Sequence, residues 1–196
     1  VGSTYRSRVR HMDNTGRWSH WSQPLEFTVS EPTISPWVEA LVVSEIMYHP
    51  SPPTAAELAA NPALESSDLE WIEVFNAGAT ALDLTDIRFT KGIEFNFIDG
   101  SRSSISPGEH IVIVANEAAF NLRYAHSSTP EFVAGEFSKN LGNEGERIKL
   151  SYGAGTPVRD FEFDDKLPWP EAADGAGPSL VLVAPSTIPD HSNALN

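Results

Sequence analysis

Short alternating runs, broken every ~8–15 residues by glycine, proline or asparagine, constrain this chain more than any other feature. Successive side chains of a strand point to opposite faces, so a period of two marks a segment with one face buried. Such runs occupy residues 41–49, 70–76, 81–84, 87–90, 93–98 and 109–115, and again 132–133, 147–152, 159–163 and 180–183. Turn chemistry separates them at Asn76-Ala77-Gly78, Asp99-Gly100 and Pro107-Gly108. In residues 70–76, Trp71, Glu73 and Phe75 share one face, and Ile72 and Val74 share the other. Apolar groups on both sides predict a central strand there, with Trp71 in the core. The run over 41–49 sets Val43, Glu45 and Met47 opposite Val42, Ser44, Ile46 and Tyr48. Helix signals are few. Thr54 and Glu57 have capping-box spacing before an alanine-rich turn, and Asn116 is an N-cap for a helix over 117–124. The pattern predicts an all-β sandwich with one or two short helices in its loops.

The first thirty residues read separately. Residues 5–10 alternate Tyr5, Ser7 and Val9 with Arg6, Arg8 and Arg10, and a second strand follows over 25–29. Between them lie the turn Asp13-Asn14-Thr15-Gly16 and the string Trp18-Ser19-His20-Trp21-Ser22. Arginines from one strand and tryptophans from the next interleave as cation–π pairs. These residues resemble the last two strands of a fibronectin type III domain, including a WSxWS box. The expected organisation is a remnant of such a domain over 1–30, a stiff proline-containing linker over 31–40 and a second domain over 41–196. The chain itself is expected to be a piece of a longer protein.

From residue 41 the chain resembles the bacterial type of lamin tail domain. The resemblance rests on Val42-Val43-Ser44-Glu45-Ile46-Met47-Tyr48-His49-Pro50, Glu70-Trp71-Ile72-Glu73-Val74-Phe75-Asn76 and Leu82-Asp83-Leu84-Thr85. It continues through Gly92-Ile93-Glu94-Phe95-Asn96-Phe97, Gly142-Asn143-Glu144-Gly145-Glu146, Pro168-Trp169-Pro170 and Asp174-Gly175-Ala176-Gly177-Pro178-Ser179-Leu180. The stretch 55–63 reads as an insertion, and Val74-Phe75 replaces a commoner leucine-containing version. The resemblance implies an immunoglobulin-like β-sandwich without a catalytic centre, found in large extracellular bacterial proteins.

Chemistry is sparse. The chain has no cysteine, which excludes disulfides, thiolate metal sites and a cysteine nucleophile. No Gly-x-Ser-x-Gly or His-Glu-x-x-His occurs, and the six histidines are scattered. The formal charge is −14, and the first forty residues balance four arginines against four acids, so the remainder carries all of it. Such a surface repels phosphates and argues against nucleic acid as a partner. No apolar run is long enough to span a bilayer. Acids are the one dense polar feature: Asp160, Glu162, Asp164 and Asp165 lie within six residues, with Asp174 one loop later. Hard oxygen ligands suit calcium, so these five are the candidate metal ligands, although the calcium loop signature is missing and no other cofactor is expected. The competing reading is a solvated acidic face. Trp169, held between two prolines, is either a binding platform for a sugar or peptide or a plug at the open end of the sandwich.

These readings make the chain a non-catalytic interaction or spacer module of a secreted or cell-surface bacterial protein, acting in adhesion or protein binding. Its expected partners are other proteins or cell-surface polymers. The alternative is an accessory domain that targets an extracellular enzyme, such as a nuclease or a spore-coat kinase-like protein.

Overall fold

A computed structural model describes residues 2–30, 33–125 and 131–196. The chain divides into two compact units, Val1–Thr33 and Ile34–Asn196. In the first, strands β1 (Thr4–Ser7) and β2 (Leu25–Thr28) pair antiparallel. The pairing puts polar groups on one face, where the Thr4 and Thr28 hydroxyls bond at 2.9 Å and Arg6 meets Glu26 at 2.5 Å. The other face stacks Tyr5 on Phe27, and both are exposed. Beyond β1 the Ser19 and Ser22 hydroxyls accept from the main-chain N–H of His11 and Val9, so two side chains continue the ladder. Arg10 lies 4.2 Å from the Trp18 ring and 4.6 Å from that of Trp21, the predicted interleaving.

The second unit opens with part of the segment read as a linker. Residues Ser35–Val38 form a helical turn, α1, and the Trp37 indole N–H donates to Asp83 O at 2.7 Å. The elements that follow are β3 (Leu41–Met47), α2 (Ala55–Ala60), β4 (Trp71–Asn76), β5 (Leu82–Asp83), β6 (Ile87–Lys91) and β7 (Phe95–Asn96). Next come β8 (Ser104–Ile105), β9 (His110–Val114), α3 (Glu117–Phe120), β10 (Val133–Glu136), β11 (Gly145–Tyr152), β12 (Thr156–Asp164) and β13 (Leu180–Val181). One sheet has the order β10-β9-β4-β3-β13 and the other β12-β11-β6-β7, while β5 and β8 form a small pair. Ile72 and Val74 of β4, Ile111 and Ile113 of β9, Ile148 and Leu150 of β11, and Phe161 and Phe163 of β12 enclose one core. This is the expected all-β, immunoglobulin-like sandwich, with β4 central in its sheet and β12 at the edge of the other.

Two expectations about faces need correction. Trp71 is not in the main core: it is half-buried on the outer side of β4, packed against Val112, Val114, Phe120 and Val133. Apolar groups on both faces of β4 did signal two packed layers, but the second is a small cap laid down by α3. Strict alternation also fails in β3, where the register shifts between Val43 and Glu45. The extra residue of this bulge puts Val43 and Ile46 together on the core side.

Candidate functional site

Tyr48 directly follows β3 and is buried in the core, its ring 4.8 Å from Phe163 near the end of β12. Its hydroxyl is buried with no hydrogen-bond partner among the described residues. Burial first, then the carboxylates of Asp174, Asp165 and Asp164, pushes that phenol up to about 12. The next residue, His49, holds the Asp174 carboxylate through Nδ1 at 2.5 Å, while Gly175 N–H donates to His49 O at 3.1 Å. Gly175 sits at φ +75, which strains any other residue, and a Cβ there would crowd the imidazole at 3.2 Å. Trp169 packs against the main core and walls a cavity of about 110 Å³ together with Val43, Ile46, Phe161 and Leu180. One end of the sandwich thus gathers Tyr48, His49, Asp164, Asp165, Trp169 and Asp174.

The predicted carboxylates go to different partners. Asp160, Glu162 and Asp164 alternate with buried Phe161 and Phe163, as their spacing implies. Alternate residues of a strand stand ~6.7 Å apart, so Asp160 and Asp164 lie ~13 Å apart along β12. Asp160 is held by both arms of Arg147, at 2.6 and 2.7 Å, which keeps its carboxyl below the usual range. Arg147 also faces Glu162 across the β11–β12 ladder. Asp164 accepts from Lys166 N–H, and this bond, ahead of other causes, depresses its pKa. Asp165 Oδ1 is buried without a hydrogen bond, 3.5 Å from the Lys166 ammonium. Among the described residues no three His, Cys, Asp or Glu side chains converge to hold a metal ion.

Other polar centres arise from tertiary pairing. Glu73 Oε1 accepts from the Ser44 hydroxyl and meets His110 Nδ1, both at 2.7 Å, on the outer face of the five-stranded sheet. Here the carboxylate joins the other two, so serine and histidine do not form a nucleophile–base pair. Burial, opposed by a bond from Ser179, raises the pKa of neighbouring Glu45. Beneath the loop after β10, Glu70 accepts from Leu141 N–H at 2.8 Å and Glu146 from Gly142 N–H at 2.6 Å. Burial lifts Glu70 to about 7.

Residues 36–163 match the Lamin Tail Domain family, well over half of the chain. The chain belongs to that family. No curated protein and no solved structure matches it. In this lamin tail domain most of the polar centres missed by sequence reasoning have partners distant along the chain, the local bond from Gly142 N–H to Glu146 being an exception. His110 and Glu73 are 37 residues apart, and His49 and Asp174 are 125 apart. Local spacing carries no signal at such range. Among the described residues, no helix of the lamin tail domain chain is long and apolar enough to cross a membrane.

Proposed function

We propose that this chain is a non-catalytic interaction and spacer module of a larger secreted or cell-surface bacterial protein, acting in adhesion or protein binding. One observation carries the reading: carboxylates that could do chemistry are engaged as fasteners. Arg147 holds Asp160, Arg123 holds Glu57, Arg102 holds Glu109, His49 holds Asp174, and backbone N–H groups hold Glu70 and Glu146. A rigid sandwich fastened this way displays its loops, and loops on a rigid scaffold are where recognition concentrates. Leu167, 78% exposed two residues before Trp169, is an apolar tip suited to contact. Residues 1–30 fit a fibronectin type III-like ending with its WSxWS box, the stacked Arg10 stiffening it. The test is interferometry of the immobilised chain against bacterial surface proteins and cell-wall polymers, run beside glycoside and phosphodiester hydrolysis assays. Saturable binding that weakens at least tenfold in Leu167→Ser, without turnover, is expected. Hydrolysis abolished by Glu73→Gln overturns the proposal.

A further inference from the structure

Strand β13 pairs with β3 over two residues, and the ladder ends one bond later, where Leu182 N–H donates to Ser44 O at 2.9 Å. Val43 N–H then donates to a side chain, Nε2 of His191, at 3.2 Å. The imidazole is buried and its ring lies 4.9 Å from that of Phe161. Residues 183–196 close on themselves around it. Val183 N–H donates to Asn196 O at 2.7 Å, and the Asn196 amide donates to Asp190 O at 2.9 Å. This segment covers the cavity walled by Val43, Ile46 and Trp169.

The bond from Val43 requires an unprotonated Nε2. Of the charged groups around the imidazole, Arg159 reinforces that state and Asp190 opposes it, with burial deciding the balance. Arg159 of β12 donates to Val38 O and Val158 O and has no carboxylate partner among the described residues. Asp190 lies on the segment itself. Asp160 lines the adjacent pocket but is bound to Arg147, and Glu45, at the cavity wall, is bound to Ser179. A proton on His191 therefore removes the acceptor for Val43 and sets a second cation beside Arg159.

We propose that residues 183–196 are an acid-released strap latched by His191, closed over the Trp169 cavity when the imidazole is neutral and open when it is protonated. Burial, with Arg159 second, lowers the His191 pKa from 6.5 to about 4 in the closed form. An open strap returns the group toward 6.5. Each pH unit below 6.5 then favours opening by up to about tenfold, reaching about 160-fold at pH 4 and levelling at about 300-fold below it.

The test is NMR of the whole chain from about pH 7 to about pH 4, following the His191 ring nitrogens and amide protection together. Leu182 and Val183 are expected to lose protection by up to about tenfold per unit below pH 6.5, while Ile72 and Val74 of β4 keep theirs. His191→Gln, whose side-chain oxygen accepts without titrating, is expected to remove that slope. A His191 that titrates near 6.5 while Leu182 and Val183 do not respond overturns the proposal. So does loss of protection in strap and β4 together.

Discussion

Asn76 is fully buried and uses its whole side chain: Nδ2 donates to Thr80 O and Ile105 O, and Oδ1 accepts from Gly78 N–H. A buried amide is tolerated because each of its polar atoms is paired. Glu70 is the less settled case, since it is just as deeply placed and its proton is the cheaper way to keep it neutral. Its pKa rises from 4.5 to about 7 on folding. Stability from this group is thus full below pH 4.5 and is lost as pH rises through about 7. Glu70→Gln should flatten that slope and make the protein more stable above pH 7 by up to about 3 kcal/mol. Urea unfolding at pH 5 and pH 8 would check it. At this scale the sequence was only half legible. Asn76-Ala77-Gly78 announced a turn, but the bond to Ile105 depends on where β8 lies.

The capping box before α2 forms as its spacing predicts, with Thr54 N–H donating to Glu57 Oε2 at 2.6 Å and Glu57 N–H to Thr54 Oγ1 at 3.3 Å. What the spacing did not reveal is the lock on this element. Arg123, just after α3, binds Glu57 at 2.7 Å and also the carbonyls of Ser51 and Pro52, tying the insertion to the cap over Trp71. Arg123→Met should cost about 3 kcal/mol at neutral pH, because it strands a nearly buried carboxylate. The guanidinium, before other causes, holds Glu57 at about 2. The pair's contribution is present above pH 4.5 and lost as pH falls through about 2. Denaturation curves should therefore show the gap between variant and wild type at pH 7 and its closing as pH falls toward 2. Strand positions were readable because a half-buried strand writes its period into local sequence. The bulge in β3 was not, since one inserted residue leaves composition unchanged and only the partner strand defines it.

Over the whole molecule, a net charge of −14 at pH 7 leaves acidic groups repelling one another across a folded surface. Screening shortens that repulsion, so raising sodium chloride from about 10 to about 150 mM should raise the melting temperature by a few degrees. Scanning fluorimetry at fixed pH would check it, and a melting point independent of salt would count against the argument. Strand β12, nine residues long at the edge of its sheet, gives this charge a more particular consequence. Such an edge is a template on which a neighbouring copy could zip. Here Asp160, Glu162 and Asp164 line its outer face, so copies approaching edge to edge would set carboxylate rows side by side. Copies crowded at high concentration would stay separate beads where a neutral version would fuse into a filament.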